Sequence, residues 1–536
     1  MKNKLAIYLP VILSITLIAG IFLGHRLVPV TSHPQWFHVK MNRYDKLNDI
    51  LNFIEKEYVD SVNRADIIEN GIKGILNQLD PHSQYIKAED FQEVNDPLTG
   101  SFEGIGIQFQ IERDTILVIH AIPGGPSEKA GLLAGDRIIK VDDTLVAGVG
   151  IDNRGAMKKL KGKRGSIVKV SVFRRDLDEL QEYLVTRDVI PTYSVDIAYM
   201  PLENVGYIKL NKFSATTYKE FREVVQKLSD QGMVQLILDL RGNAGGYLQA
   251  AIDVADEFLE KGTLIVFTEG RRQPRESFYA TGKGSLVNTG LIVLIDEGSA
   301  SASEILAGAI QDNDRGMILG RRSFGKGLVQ RQLDLADGSA LRLTVARYFT
   351  PTGRSIQKPF RKENGFEEYY ASAYHSYDAS EDSIASISPD DTLRFMTPDG
   401  KIVLGGGGIL PDSIISLEEG SHYQLFNRLL RRGLIFRFAF EYTDQNRKAL
   451  QVYSHFELFD KQFEITPVLL KEFGDYIHQN GFETDEDAFR ASSDRIKTML
   501  KAYIGRNLFD NEGFYPLYLK IDPVFKVAIT LFESKD

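Results

Sequence analysis

Three stretches of the sequence combine residue types that could perform acyl transfer through a serine nucleophile. They read LDLRGNAGGYL (residues 238–248), LIDEGSASASEILAGAI (294–310) and GRRSFGKGLVQ (320–330). In the second stretch an apolar strand gives way to a helix at a run of serines, so a sharp turn would expose a hydroxyl beside the N–H groups of the helix N-terminus. The glycines of the first stretch tolerate positive φ and could direct another N–H at the same point. Two such donors would form an oxyanion hole.

A serine nucleophile also needs a base, and the candidate in these stretches is Lys326. It stands between Gly325 and Gly327, and the chain has no cysteine and no convincing histidine near these stretches. A lysine ordinarily titrates near 10.4, so to be largely neutral at about pH 7–8 its pKa must fall by about three, which corresponds to roughly 4 kcal/mol. Burial beside Phe324 and other apolar groups is the available cause. His82, in LDPHSQY (79–85), is better explained as a polar turn residue.

Each of these features also has a purely structural explanation. Ser299, Ser301 and Ser303 could cap a helix, and the glutamate that follows them is typical of a capping box. RGNAGG could bind a phosphate, although it lacks the Lys-Ser/Thr pair of nucleotide-binding loops. A lysine in a glycine-rich turn is normally solvated. The residues by themselves therefore leave both the choice of serine and Ser/Lys catalysis open.

The sequence around these stretches alternates between strand and helix patterns, which indicates a layered α/β core. The strand patterns cover residues 205–210, 234–240 and 291–295, and the helical patterns cover 248–259 and 302–310. Helical periodicity also covers residues 41–79, with a junction near 60–63, and most of the chain after residue 421. Residues 361–391 are polar, acidic and rich in Tyr and Ser, which predicts a surface insertion or a mobile linker.

Composition and the N-terminus limit the class of protein. The chain has 536 residues, a formal net charge of -9 and no cysteine, which argues against general nucleic-acid binding and excludes disulfides and thiol chemistry. Residues 5–24 carry no charge and are long enough to span a bilayer as a helix. Lys2 and Lys4 precede them, which predicts a single-pass membrane protein whose bulk lies on the periplasmic or extracytoplasmic side. A cleaved signal peptide is the alternative.

Residues 101–186 resemble a PDZ domain of the bacterial protease type. The resemblance rests on GIGIQF (104–109), PSEKAGLLAGD (126–136) and VSVFR (170–174). A PDZ domain binds a C-terminal peptide by adding it to the edge of a sheet. The resemblance implies that backbone N–H groups of Ile105, Gly106 and Ile107 hold the terminal carboxylate.

Together, the PDZ region, LDPHSQY and the three stretches resemble the carboxyl-terminal processing peptidases, also called tail-specific proteases. The likeness runs from about residue 44 to 357 and on to GGGGILPD (405–412). In that family the base is a lysine 25 residues after the nucleophilic serine, and a glutamine follows the lysine by four residues. The resemblance therefore implies Ser301 as nucleophile, Lys326 as base and Gln330 as the residue that orients the lysine. The implied oxyanion donors are the backbone N–H groups of Ala302 and of Gly245 or Gly246.

The same resemblance implies an α/β multidomain chain whose layered protease core is of the crotonase-like type. It implies a serine endopeptidase that cleaves exported or membrane proteins near their C-termini. The expected parts are a membrane anchor and linker (1–40), a helical segment (41–100), the PDZ domain (101–186), the protease core (187–360), the insertion (361–395), a return to the core (396–420) and a helical C-terminal domain (421–536).

The expected partners are protein substrates with free apolar C-termini and, through the N-terminal helix, the membrane. No metal, cofactor or nucleic acid is implied, and a homo-oligomer or a regulatory partner stays open. Two other functions compete with the protease. One is a proteolytically inactive PDZ scaffold, which the intact Ser301, Lys326 and Gln330 argue against. The other is an acyl-CoA enzyme of crotonase-like fold, which would not explain the PDZ region.

Overall fold

The computed structural model describes residues 14, 16, 46–175, 177–360, 365–375, 393–416 and 421–534. The predicted membrane helix at residues 5–24 lies outside these ranges, apart from Ser14 and Thr16. Over the ranges that are described, no helix is both long enough and apolar enough to cross a bilayer. The chain divides into two compact units, Met1–Ile72 and Lys73–Asp536.

Two helices follow the helical periodicity at the start of the described chain. Helix α1 spans Lys46–Glu57 and α2 spans Arg64–Leu76, so the predicted junction near residues 60–63 is confirmed. Arg64, the first residue of α2, holds the two helices together at this junction. Its guanidinium donates to Asn52 Oδ1 at 2.9 Å and to Glu55 Oε2 at 2.7 Å, both on α1.

The region that resembles a PDZ domain is an antiparallel sheet with two short helices. Its elements, and those that lead into it, are β1 (Gln84–Ile86), α3 (Phe91–Thr99), β2 (Ser101–Gly104), β3 (Ile107–Glu112), β4 (Thr115–Ala121), α4 (Pro126–Ala130), β5 (Arg137–Val141), β6 (Thr144–Leu145), α5 (Asn153–Leu160), β7 (Ile167–Phe173), β8 (Gln181–Thr186) and β9 (Asp188–Pro191). The strand order is β3-β4-β5-β7-β8, with β6 on β5, while β2 pairs with β9. Val168, Val170 and Val172 are fully buried, as the period of two in a strand requires. Gly131 ends α4 at a φ of +96°, in the turn that the sequence predicts.

The core is mixed α/β and is built on a six-stranded sheet. The elements of this part of the chain are β10 (Val195–Leu202), β11 (Val205–Leu210), α6 (Thr217–Asp230), β12 (Gln235–Asp239), α7 (Leu248–Asp256), β13 (Leu264–Gly270), β14 (Gln273–Tyr279), β15 (Gly290–Ile295), α8 (Ala302–Asp312), β16 (Met317–Gly320), β17 (Leu328–Asp334), β18 (Ala340–Phe349), α9 (Gly365–His375), β19 (Arg394–Met396), β20 (Ile402–Leu404) and β21 (Ser413–Ile414). The strand order is β10-β11-β12-β15-β16-β21. β10 pairs antiparallel with β11, and the other neighbours pair in parallel.

This topology brings the three predicted stretches to one edge of the sheet. Strands β12, β15 and β16 are parallel neighbours, and each is followed at its carboxyl end by one stretch. RGNAGG follows β12, DEGSASAS follows β15, and RRSFGK follows β16. Because the carboxyl ends of parallel strands meet at the same edge, the serine run, the glycine-rich loop and the lysine turn become neighbours.

A second sheet brings LDPHSQY to the same region. Its order is β1-β18-β13-β14, with β17 paired to β18. β1 follows directly after His82 and Ser83, and β17 begins two residues after Lys326. Since β1 and β17 both pair with β18, the histidine turn lies beside the strand that carries Gln330.

The C-terminal region is helical, as predicted. Its helices are α10 (Ser421–Arg431), α11 (Leu434–Gln445), α12 (Arg447–Leu450), α13 (Phe456–Gln462), α14 (Pro467–Gln479), α15 (Glu486–Tyr518) and α16 (Pro523–Glu533). α16 covers one face of the central sheet, where Phe525 packs with Ile237 and Leu294. Helices α6–α8 cover the other face, which explains why β12 and β15 are apolar on both sides. The domain boundaries and the crotonase-like type of the core stay predictions.

The described part of the Tyr- and Ser-rich stretch packs against the core, and the prediction of a surface insertion or linker for residues 361–391 stays a prediction. Residues 365–375 form helix α9, and Tyr369 on this helix is only 4% exposed. Its ring packs edge-on against Phe324 and Phe360, with centroids 6.0 and 5.7 Å away. The polar composition of the stretch hid this contact, because one buried tyrosine scarcely changes the average hydropathy of its neighbours.

Candidate active site

Ser301 occupies the turn between β15 and α8 in a conformation that favours glycine. Its φ is +55° and its ψ is -113°, and it is the N-cap residue of α8. Such backbone strain costs on the order of 1–3 kcal/mol and is concentrated at functional sites. Ser301 N donates to Glu304 Oε2 at 2.8 Å in a capping box, so the capping explanation and the nucleophile explanation apply to the same residue.

The other two serines of the run have structural tasks. Ser299 and Ser303 are fully buried, whereas Ser301 is partly exposed. Ser299 Oγ donates to the Leu240 carbonyl at 2.9 Å, and Ser303 Oγ donates to the Asn243 carbonyl at 2.8 Å. A substrate carbonyl could therefore approach the hydroxyl of Ser301 more readily than the other two.

The glycine-rich loop lies directly against Ser301. A Cβ on Gly245 would lie 2.6 Å from Ala300 O and 2.8 Å from Ala302 N, so this position requires glycine. Gly245 N donates to Asn243 Oδ1 at 2.9 Å and would have to leave that bond to serve an oxyanion. Gly246 N donates no hydrogen bond among the described residues, so it could bind an oxyanion together with Ala302 N without breaking one. The pair of oxyanion donors itself stays a prediction.

Lys326 lies in the predicted turn and is largely removed from water. Burial lowers its pKa below the ordinary value, and the positive charge of Arg342 lowers it further, while the carboxylates of Glu304 and Asp80 oppose both effects. Its Nζ donates to Gln330 Oε1 at 3.1 Å, which is the partner the resemblance implied. The Phe324 ring lies against a different lysine, with Lys358 Nζ 3.9 Å from its centroid.

Ser301 and Lys326 are neighbours but are not directly bonded. Among the described residues, no hydrogen bond joins Lys326 Nζ to Ser301 Oγ. Catalytic hydrogen bonds are often long or unformed without substrate.

Glu304 joins the serine turn to the lysine turn and is the residue that sequence reasoning undervalued. It is fully buried, and each of its two oxygens accepts two hydrogen bonds. Oε1 accepts Ser323 Oγ at 2.6 Å and Gly325 N at 2.7 Å, and Oε2 accepts Ser301 N at 2.8 Å and Lys326 N at 2.9 Å. Burial raises the pKa of Glu304, and these hydrogen bonds oppose that rise. The sequence indicated only its capping role.

Tyr348 joins the same two turns from the other side and was missed entirely. Its hydroxyl lies 2.8 Å from the Lys326 carbonyl and 3.1 Å from the Ser301 carbonyl, close enough to donate to either. It is 1% exposed and comes from β18. A tyrosine in a strand gives no sequence signal for such a contact.

His82 reaches the site through its backbone. Asp80 Oδ1 accepts the N–H groups of His82 and Ser83 at 2.8 Å each, which builds the predicted turn. The ring is buried rather than solvated, and burial, with the positive charge of Lys326 next, lowers the pKa of His82 to about 4. The His82 carbonyl accepts Gln330 Nε2 at 2.5 Å, so this turn holds the glutamine that contacts Lys326.

The predicted peptide-binding loop of the PDZ domain lines an apolar cavity. Ile105, Gly106 and Ile107 form part of its wall, and its volume is about 320 Å³. Helix α3, which precedes the PDZ strands, contributes another wall, and Lys161 Nζ donates to Asp96 Oδ2 on this helix at 2.8 Å. The cavity is large enough for an aliphatic side chain, and the carboxylate-binding role of the loop stays a prediction.

Comparison with known proteins identifies both domains. Residues 204–364 match peptidase family S41 and residues 104–182 match the PDZ domain. Residues 28–90 match the N-terminal domain of the activating protease CtpB, and residues 425–510 match a family of unknown function, DUF8443.

Three of the similar proteins are described as processing proteases. The carboxy-terminal-processing protease of Bartonella bacilliformis is 37% identical over 348 residues, which cover 63% of this chain and 79% of that protein. The carboxy-terminal processing protease CtpA of Bacillus subtilis is 35% identical over 318 residues, with 59% and 67% covered. A solved photosystem II D1 C-terminal processing protease is 32% identical, with 59% and 84% covered and a TM-score of 0.35. The chain therefore belongs to the family of C-terminal processing, PDZ-containing serine proteases.

Proposed function

We propose that this peptidase works through a Ser301–Lys326 dyad and cleaves protein substrates near their C-termini. The observation that carries the proposal is that both residues are hydrogen-bonded to the same buried carboxylate. Ser301, partly exposed at a strained helix N-cap, and Lys326, with its pKa lowered by burial, both donate their backbone N–H groups to Glu304.

The reaction follows from the roles of these groups. Neutral Lys326 takes the proton of Ser301 Oγ as the oxygen attacks the substrate carbonyl carbon. The Ala302 N–H and that of Gly245 or Gly246 stabilise the oxyanion. The Lys326 ammonium then returns the proton to the leaving amine, which gives an acyl-enzyme. Water, deprotonated by Lys326, hydrolyses the ester and restores both residues.

We expect the PDZ domain to select substrates by a free apolar C-terminus. Binding to the inactive Ser301→Ala chain separates recognition from cleavage. For a peptide with an apolar last residue, replacing the terminal carboxylate by an amide should weaken binding at least about tenfold, since charge-assisted hydrogen bonds to backbone N–H groups are lost. Isothermal titration of the matched acid and amide peptides measures this difference. Equal affinities would remove the tail-reading role.

The rival function is a scaffold without proteolysis, and the observation in its favour is that no hydrogen bond joins Lys326 Nζ to Ser301 Oγ among the described residues. A peptidase assay decides between the two. Cleavage that disappears in Ser301→Ala supports the protease, and a purified chain that cleaves no peptide at any pH supports the scaffold.

We also propose that residues 5–24 anchor the chain in the cell membrane, with the enzyme on the extracytoplasmic side and exported or membrane proteins as substrates. The support is the charge-free span with lysines on its short side. The full chain should sediment with membranes and lose that association when residues 1–26 are deleted. A shortened, soluble mature form would show cleavage instead.

A further inference from the structure

The buried hydroxyl of Tyr369 on helix α9 contacts two residues beside the active site. Tyr369 Oη lies 3.1 Å from His82 Nε2 and accepts a hydrogen bond from Gln357 Nε2 at 3.0 Å. Both of these residues lead to Lys326 by short chains of hydrogen bonds. The tyrosine therefore links the Tyr-rich stretch to the candidate base.

The first series of hydrogen bonds passes through the histidine turn. The His82 carbonyl accepts Gln330 Nε2 at 2.5 Å, and Gln330 Oε1 accepts Lys326 Nζ at 3.1 Å. The position of the His82 backbone thus determines where the glutamine amide holds the lysine. Tyr369 fixes that turn from the side of the imidazole ring.

The second series of hydrogen bonds passes through Gln357. Its Oε1 accepts Gly327 N at 2.9 Å, and Gly327 is the residue after Lys326. The same side-chain amide donates to Tyr369 Oη, so a single hydroxyl contributes to the side-chain position of Lys326 and to its backbone position.

Three further contacts hold the helix in place over this hydroxyl. Lys358 Nζ donates to the Tyr369 carbonyl at 2.6 Å and lies 4.3 Å from the centre of the Tyr369 ring. The neighbouring Tyr370 donates its hydroxyl to the Pro81 carbonyl at 3.2 Å, in the same turn as His82. Helix α9 is thus bound both to Lys358 and to the turn that contains Pro81 and His82.

We propose that Tyr369 is a positioning residue for catalysis: its hydroxyl holds the His82 turn and Gln357, and through them it sets the location of Lys326. The proposal rests on the Ser301–Lys326 mechanism. Among the contacts shown for the described residues, none joins Tyr369 to Ser301 or Lys326, so its effect should fall on the rate of reaction and not on substrate binding.

Tyr369→Phe tests the proposal because it keeps the ring packing and removes only the oxygen. We expect kcat to fall about tenfold, the effect of one well-placed hydrogen bond, with KM within about twofold and only a modest decrease in the melting temperature, because the buried partners of the hydroxyl lose one hydrogen bond each. Glu368→Gln, at an exposed site on the same helix, is the matched control and should have the kcat, KM and melting temperature of the wild-type protein. An unchanged kcat, or a loss seen wholly in KM, would overturn the positioning role.

A double-mutant cycle tests the route. If Tyr369 acts through Gln330, the loss caused by Tyr369→Phe should be much smaller in a Gln330→Ala background, because neighbours in one network are not additive. Equal losses in both backgrounds would refute the path through Gln330.

Should Tyr369→Phe prove unstable, Gln357→Met breaks only the hydrogen bonds that pass through Gln357 and should lower kcat in the same way. Failure of the mechanism itself is recognised separately, since Ser301→Ala would then cleave as fast as the original chain.

Discussion

Lys326→Arg should lose proteolysis as completely as Lys326→Ala, with a fall in kcat/KM of at least about a thousandfold. Arginine keeps the positive charge and the reach of lysine, but its guanidinium stays protonated at any working pH and cannot accept the serine proton. Initial rates on a peptide substrate, with folding checked by circular dichroism, measure the effect. Lys283→Arg, at an exposed position of the core, is the matched control and should keep full activity.

The pH dependence of the original chain belongs to the same prediction. Only neutral Lys326 can act as a base, so kcat/KM should rise with pH through the pKa of this lysine in the free enzyme. Burial lowers that pKa, which places the rise below the ordinary lysine value of about 10.4. Substantial activity of Lys326→Arg would mean that the lysine is a substrate-binding cation. The search for a base would then return to His82, whose lowered pKa makes it a weak one.

Glu304→Gln should damage both stability and catalysis, although it changes the size of the side chain very little. The carboxylate accepts four hydrogen bonds, and an amide nitrogen would face two of those donors as another donor. Each buried donor left without an acceptor costs about 1–3 kcal/mol, so a loss of about 2–6 kcal/mol in the free energy of unfolding is expected. Because the serine and lysine turns separate as these bonds fail, kcat should fall by a hundredfold or so.

Urea denaturation and steady-state kinetics on the same preparation measure the two effects of Glu304→Gln. Glu276→Gln, on the exposed part of β14, is the comparison that changes charge without burial. Full stability together with full activity in Glu304→Gln would show that the four hydrogen bonds do not hold the site.

The residues that meet at the end of parallel strands were predictable from the sequence. Two strand patterns, at residues 234–240 and 291–295, are each followed by a glycine- or serine-rich stretch, and they place Gly245 and Ser301 near one another once β12 and β15 pair in parallel. Strand β16, which precedes the Lys326 turn, was not among the predicted strands, so the position of Lys326 follows from the parallel pairing of β16 with β15 in the structure. The local turn chemistry also follows from residue type, as with Asp80, whose carboxylate organises the turn before β1.

The residues that hold this arrangement together were not predictable in the same way. Tyr348 contacts Ser301 across 47 residues of sequence, and Gln330 contacts His82 across 248. Such contacts depend on how separate elements pack, and neither hydrophobic periodicity nor turn composition records them. Tyr369 was hidden for a further reason, because its helix lies in a stretch whose composition is typical of a linker.

Covalent labelling of the nucleophile tests the central claim most directly. A fluorophosphonate probe phosphonylates serines that have an effective base, and peptide mass spectrometry locates the adduct. We expect one adduct on Ser301 of the wild-type protein, none in Ser301→Ala, and strongly reduced labelling in Lys326→Ala at neutral pH. An adduct on Ser299 or Ser303, or proteolysis that persists in Ser301→Ala, would contradict it.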